Sequence, residues 1–394
     1  MCYDIQGGMM RRTLKDTDKV LLFITIIFSL YGLLNLVTAS SREAVTNMDE
    51  SIYYYFYRHA IILIMSLIAS LIVIKMPLKK YYNFLPLLFF GVLALNLLLV
   101  IQGNTTRGAS NWIDIGFFNL QPSELAKPVL IVSLAFILEK FNKILQNDNV
   151  KHFKVILFIL LTAIPLILIV FMQKDLGTAS ILLGIFAVMF LASNIKIKDK
   201  LKTIFIGIGL LIFCLLIFTL IKGNLLTEAQ LSRFNYYNPC SNYTTTGYQV
   251  CNAFIAINKG SVFGVGIGKS SQKYSYIPEP HTDMVFSIIS EENGLFGGTL
   301  IFILYLILLY RILRIARICN SIKGKYICIG VASYIFMHIL INLGGLFGII
   351  PLTGVPLPFL SYGGSFTLSL LISLAIVQRV YIESKRTKKG KNYA

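Results

Sequence analysis

Charge is scarce in this chain. Of its 394 residues only 14% are Asp, Glu, Lys or Arg, where a soluble domain carries roughly 25%. An ordinary soluble globule is thereby excluded. Acidic residues are scarcer still, 18 against 36 Lys and Arg, and there is a single Trp. Six cysteines occur without the paired spacing of a zinc site. No Walker or dinucleotide-binding pattern is present, and no strand precedes the one glycine-rich stretch, so the usual nucleotide sites are missing as well. Internal repeats, low-complexity linkers and a second soluble domain are also lacking.

What the chain has instead is apolar length. Hydrophobic residues make up 56% of it, and the mean hydropathy is +0.73. A bilayer span needs about 20 predominantly apolar residues, and only a helix or a closed barrel satisfies its backbone there. The apolar runs are continuous rather than alternating, which reads as helices and not as barrel strands. Spans are expected near 19–39, 57–75, 81–102, 121–139, 153–173, 176–195, 203–222, 283–309, 326–349 and 361–381. Residues 173–176 leave room only for a tight hairpin between the fifth and sixth. The expected fold is an all-α integral membrane protein with about ten transmembrane helices and a long external loop between helices 7 and 8.

Basic clusters fix the orientation. Arg11, Arg12, Lys15 and Lys19 precede the first span, and Lys75, Lys79 and Lys80 follow the second. Lys140, Lys143, Lys151 and Lys154 follow the fourth, and Lys196, Lys198, Lys200 and Lys202 the sixth. Arg311, Arg314, Arg317, Lys323 and Lys325 follow the eighth, and the tail carries Lys385, Arg386, Lys388, Lys389 and Lys391. Every second connection is therefore basic, which assigns it to the cytoplasm. Both termini then lie inside, which requires an even number of spans. The expected division is a cytoplasmic segment 1–18, a polytopic domain 19–382 and a basic cytoplasmic tail 383–394. The net charge of +18 sits in juxtamembrane clusters facing anionic headgroups, so nucleic acid is not the partner it implies. Val37-Thr38-Ala39 looks like a signal cleavage site, but the apolar stretch before it exceeds the about 7–15 residues of a signal peptide. The first helix is expected to stay.

Function is sought on the outward side, in the connections 103–120, 223–282 and 350–360. The long one holds Arg233 and several tyrosines, then Gly260-Ser-Val-Phe-Gly-Val-Gly-Ile-Gly268 with Lys273 beyond it. Those glycines read as a backbone-packing device. The connection ends in Tyr276-Ile-Pro-Glu-Pro-His-Thr-Asp283 at the mouth of span eight. Glu279, His281 and Asp283 lie within five residues, too few donors to name a metal. Asp283 stands where a polar loop re-enters an apolar helix, and burial there would raise its proton affinity toward general-base range. Gln121-Pro-Ser-Glu-Leu-Ala-Lys127 opens span four, with Pro122 suited to a first helical turn. Glu124 and Lys127 share a helix face. They read either as a self-neutralising pair holding helices together or as a polar pocket attracting an anion. Arg107 and Trp112 sit at the outer interface, where a Trp is normally an anchor. Pro351–Gly364 has three prolines within its first eight residues and a Gly pair at its end, so it reads as a rigid re-entrant lip, with Ser361 and Tyr362 as polar contacts. Cys240 and Cys251 share the long external connection, where oxidation is open to them. A disulfide there would close a short ring upstream of Asp283.

Together these blocks resemble the SEDS family (shape, elongation, division and sporulation), which includes FtsW, RodA and SpoVE. The resemblance rests on Asn111-Trp-Ile-Asp-Ile-Gly116 with Gln121-Pro-Ser-Glu124 and Lys127, and on Asp175-Leu-Gly-Thr-Ala179. It rests also on Pro278-Glu279, His281-Thr-Asp283 and Glu291-Glu292, and on Gly354-Val-Pro-Leu-Pro-Phe-Leu-Ser-Tyr-Gly-Gly364. Departures are Lys174, Asn238-Pro239, Asn258-Lys259 and Pro280. The resemblance implies a peptidoglycan glycosyltransferase of the bacterial cytoplasmic membrane that polymerises lipid II at the outer face. It implies Asp283 as the essential loop aspartate, and Ser270-Ser-Gln-Lys273 points to the FtsW branch and septal synthesis. A RodA-like elongation polymerase and a lipid II flippase or transporter are the alternatives. Expected substrate contacts are Arg107, Trp112, Gln121, Glu124, Lys127, Arg233, Lys273, Glu279, His281 and Ser361. A divalent cation, Mg2+ or Mn2+, is expected near Glu124, and no organic cofactor. Expected partners are a class B penicillin-binding transpeptidase and other division proteins.

Overall fold

The computed structural model describes residues 16–48, 51–102, 111–114, 116, 119–146, 152–222, 239–242, 247–274 and 277–391. Long helices carry it: α1 (Lys19–Met48), α2 (Tyr54–Lys75), α3 (Leu78–Gln102), α4 (Pro122–Lys140), α5 (Phe153–Met172), α6 (Leu176–Ala192) and α7 (Ile197–Lys222). A shorter α8 (Tyr248–Gly260) lies within the long external connection, and α9 (Val285–Ile318), α10 (Ile322–Leu346) and α11 (Gly364–Lys391) complete the chain. Apart from α8 these are the ten expected spans. Among the described residues, seven of them are long and apolar enough to cross a membrane by length and composition alone. α6 is apolar but short, and α4 carries four charged residues, Glu124, Lys127, Glu139 and Lys140. The protein is an all-helical, multi-pass membrane protein.

Helix starts follow local chemistry. Pro122 occupies the first turn of α4, where its missing N–H costs nothing. Asp175 caps α6 by accepting the Thr178 N–H at 3.0 Å, after Lys174 turns the chain at φ 63°. Those two residues make the expected hairpin. α10 runs through the middle of the bundle, packed on α4, α6, α9 and α11. A Cβ on its Gly330 would meet Ile131 of α4 at 2.6 Å, the close approach by which membrane helices associate.

Four features differ from the sequence expectation. α1 continues nine residues past 39, so its 30 residues span about 45 Å against a hydrocarbon core of about 30 Å. Its last turns therefore stand outside the membrane. α11 runs on to Lys391, so the basic tail is a helical continuation rather than a separate segment. The long external connection contains α8, and Cys240 and Cys251 are joined by a disulfide that pins α8 to the turn at Pro239–Asn242. α9 is broken at Gly294, where φ 66° and ψ −168° leave helical space.

A candidate active site at the outward face

The glycine-rich stretch enters the break in α9. Val265 and Gly266 donate to the carbonyls of Glu291 and Glu292, at 2.9 and 3.0 Å, while Leu295 donates to Ser261 at 2.8 Å. The backbones lie so close that a Cβ at Gly264 would sit 2.2 Å from the Glu292 carbonyl oxygen, at φ +81° where only glycine is at ease. The carboxylate of Glu291, fully buried, then ties down the next turn. It accepts the hydroxyls of Ser270 and Ser271 at 2.5 and 3.0 Å and the Ser271 N–H at 3.0 Å. Lys273 is drawn in as well, its Nζ 3.2 Å from Glu292 Oε1. This lashing delivers Asp283 to the top of α9.

Asp283 meets the proline segment there. A Cβ on Gly354 would sit 3.9 Å from its Oδ2, and the Thr282 hydroxyl donates to Oδ1 at 3.2 Å. Asn342 of α10 clamps the two segments together, its Nδ2 donating to the Asp283 carbonyl at 2.7 Å and to the Val355 carbonyl at 2.8 Å. Burial pushes the Asp283 carboxyl up to about 6, against the opposing pull of the Thr282 hydroxyl and nearby His281. A carboxylate with that proton affinity is ionised at neutral pH and basic enough to take a proton from a hydroxyl.

Below it, the proline segment rests on a line of polar groups inside the bundle. His338 Nδ1 lies 3.0 Å from the Pro356 carbonyl, which can only accept, so this nitrogen carries the proton. Nε2 is then free to accept from Lys127 Nζ at 3.0 Å. The same ammonium is 2.6 Å from Glu124 Oε1, with side chains 0% and 3% exposed. Ser369 of α11 donates to the Glu124 carbonyl at 2.8 Å. Beside this line, Asp175 Oδ2 accepts from Asn111 at 3.1 Å and Gln121 at 2.8 Å. Gly177, the second residue of α6, has no room for a Cβ beneath Val355. The hairpin thus ties the start of α4 to the proline segment, which in turn lies against Asp283.

Residues 18–386 match the family of cell cycle proteins FtsW, RodA and SpoVE. The chain belongs to this family, the SEDS proteins. It is 33% identical over an alignment of 397 residues to a protein of Bacillus subtilis strain 168 named as a probable peptidoglycan glycosyltransferase FtsW, covering 96% of this chain and 95% of that one. It is also 33% identical over 367 residues to stage V sporulation protein E of the same organism, covering 92% and 96%. A solved structure concerned with polymerization and crosslinking by a peptidoglycan synthase complex superposes with a TM-score of 0.73 at 25% identity, covering 93% of this chain and 98% of that chain.

Among the described residues of this SEDS chain the sequence-assigned contacts fall into three groups. Glu279 and His281 share the loop of Asp283, Ser361 is buried at the end of the proline segment and accepts the Leu357 N–H at 2.8 Å, and Gln121 reaches Asp175 rather than Asp283. Lys127, Glu124 and Lys273 are enclosed and already ion-paired, so an open anion pocket at Lys127 is replaced by the self-neutralising pair. Trp112 is 41% exposed, as an interfacial anchor would be. Arg107 and Arg233 lie outside the described residues. Glu124 is committed to Lys127, and no cluster of three His, Cys, Asp or Glu able to hold a metal ion forms among the described residues. Among the described residues the donor set does not fit a divalent cation held by protein alone.

Sequence reasoning passed over His338 and Asn342, which were legible as two polar residues one helical turn apart inside an apolar span. It also passed over Glu43 and Tyr55, which carry no such signal. Glu43 lies past the end of the apolar run, and its partner is 238 positions later in the chain.

Proposed function

We propose that this protein is a peptidoglycan glycosyltransferase that polymerises lipid II into glycan strands at the outer face of the cytoplasmic membrane, with Asp283 as general base. The observation that carries this reading is the Asp283 carboxyl set against Gly354 of the proline segment, its carbonyl clamped by Asn342, where burial pushes its proton affinity up to about 6. In such a reaction a base removes the proton of the acceptor sugar hydroxyl while that oxygen attacks the anomeric carbon, and the lipid pyrophosphate departs with the bonding electrons. The departing group needs positive charge, a role that falls to Arg107 and Arg233, since Lys127 and Lys273 are spoken for. A divalent cation would enter with the pyrophosphate, for which one or two carboxylates suffice.

Septal synthesis is the favoured cellular role, supported by Ser270-Ser-Gln-Lys273 and by the likeness to a protein named FtsW. The equal identity to a sporulation protein keeps the division and spore roles close. A class B penicillin-binding transpeptidase is the proposed partner, supported by the likeness to a synthase complex concerned with both polymerization and crosslinking. The flippase reading draws on one feature, the Glu124–Lys127–His338 group within the bundle, since intramembrane ionisable groups mark transport pathways. Purified protein in detergent with lipid II separates the two. Glycan chains formed without any membrane barrier support the polymerase, whereas transfer across vesicles with no polymer supports transport.

A further inference from the structure

At the opposite, cytoplasmic face, the ends of α3, α4 and α10 enclose a pocket that the outward site does not use. Its volume is about 350 Å³, within the about 300–1,000 Å³ of small-ligand pockets. Lys79 is the second residue of α3, Lys140 the last of α4 and Lys323 the second of α10. Three spans distant in sequence thus each bring one ammonium to the same opening. Glu139 is the one carboxylate in the lining, and its Oε2 lies 3.2 Å from Lys323 Nζ. That ammonium also stands 5.4 Å from the centre of the Phe136 ring, which packs beside Tyr82 at 5.8 Å between centroids. Lys323 is therefore held in place, whereas Lys79 and Lys140 meet no carboxylate among the described residues. The lining carries two positive charges in excess.

The surroundings of the pocket say which anion suits it. Going into the membrane from Lys79, one face of α3 carries Tyr82, Asn83, Leu87 and Phe90 at helical spacing. Leu87 and Phe90 are 73% and 65% exposed, and they lie about 12 and 16 Å along the helix from Lys79. A cationic mouth thus opens onto bare apolar helix. A soluble phosphate would meet the lysines alone, whereas an amphiphile sets its phosphate among them and its chains along α3. Juxtamembrane lysines attract anionic headgroups diffusely all over this face. What sets these three apart is a walled cavity between helices and an ammonium already fixed by Glu139 and Phe136.

We propose that this pocket binds an anionic glycerophospholipid of the cytoplasmic leaflet, its phosphate held by Lys79, Lys140 and Lys323. Bound there, the lipid bridges α3 to α4 and α10. Glu139 competes with the phosphate for Lys323 and so weakens the site.

Native mass spectrometry of the full chain in detergent, titrated with phosphatidylglycerol or with phosphatidylcholine of the same acyl chains, tests this. The wild type is expected to take up the first phosphatidylglycerol in preference to phosphatidylcholine. Lys79→Gln combined with Lys140→Gln should weaken that uptake about fivefold for each lysine and leave phosphatidylcholine unaffected. Lys198→Gln combined with Lys202→Gln removes two exposed lysines from the same face and should leave the preference in place. Glu139→Gln should tighten binding. In thermal unfolding, phosphatidylglycerol should raise the melting temperature of the wild type more than that of the Lys79–Lys140 variant. Equal losses from the two lysine pairs would reduce the site to general surface attraction and overturn the proposal. Glycerol 3-phosphate binding as tightly as the lipid would overturn it too, since the occupant would then be a soluble phosphate. Should the Lys79–Lys140 variant not fold, Glu139→Gln decides: tighter uptake supports the site, and unchanged or weaker uptake refutes it.

Discussion

At the cytoplasmic end of the bundle, Arg311 grips Asp18, with its Nε 2.9 Å from Oδ1, and Lys385 and Arg386 lie 3.3 and 3.5 Å from Asp16. Gln378 exchanges hydrogen bonds with the Asp18 backbone, and Arg379 meets Glu383 at 2.8 Å. The pairs of Asp16 and Asp18 stitch residues 16–18 to α9 and α11, that of Arg379 lies within α11, and Lys385, Arg386 and Glu383 keep their charge partly in water. At the outward end, Glu124, Lys127, His338, Glu291, Glu292 and Lys273 are all buried. A pair that keeps its solvent contributes about 0–1 kcal/mol and is screened by salt. A buried pair contributes little net, yet removing one partner costs about 3–5 kcal/mol because the other is stranded. The comparison teaches that charge near water records topology, whereas charge withdrawn from water sets geometry and proton affinity.

The sharpest break in that contrast is Asp283→Asn, which keeps the shape and removes the base. Polymerisation of purified lipid II should fall about 10²–10⁴-fold with the melting temperature unmoved, and near-normal glycan yield would remove Asp283 from the mechanism. In the wild type, the rate should decline as pH falls through about 6, since the base works only when deprotonated. A flat profile from pH 5 to 7 would contradict a base of that affinity. Next in size is Lys127→Met, which strands Glu124 and should destabilise the protein by about 3–5 kcal/mol. Adding Glu124→Gln should recover much of that loss in thermal unfolding, and failure to do so would mean the pair has a role beyond mutual neutralisation. Asn342→Leu leaves two buried carbonyls without their shared donor, at about 1–3 kcal/mol. Because the clamp sets Asp283 against Gly354, activity should fall more than stability does. The smallest effect is expected at the cytoplasmic end, where Lys385→Ala should cost less than about 1 kcal/mol and vanish in high salt. A loss there as large as that of Lys127→Met would erase the distinction between the two ends.

The spans and their direction were legible because they depend on local quantities: the length of an apolar run, and the basic residues at its ends. Pro122, Asp175 and the prolines of 350–360 also announced themselves, since each restricts its own backbone or its neighbour's. The glycine-rich stretch was readable as a packing device, although nothing local said that it would enter a break in α9 at Gly294. α1 outlasts the span expected near 19–39 because polar Ser40, Ser41, Arg42 and Glu43 close the apolar run while leaving helical hydrogen bonds untouched. The helix simply carries on into water. α8 was missed for a related reason, as its 13 residues sit in a polar stretch too short to read as a span.

The candidate site divides along the same line. Sequence pattern was enough to single out Asp283, the Glu124–Lys127 spacing and the proline segment, because each is an anomaly in its own neighbourhood: charge entering an apolar helix, or backbone that cannot be helical at membrane depth. Folding decided the partners. Lys127 turned inward to His338 rather than outward to an anion, Asn342 joined Asp283 to Val355, and Glu43 reached His281 from the far end of the chain. Inside the bundle, the contacts of Lys127 and Asn342 give a buried charge and two buried carbonyls partners where water is absent. That condition is met only in three dimensions, once helices distant in sequence have been packed side by side.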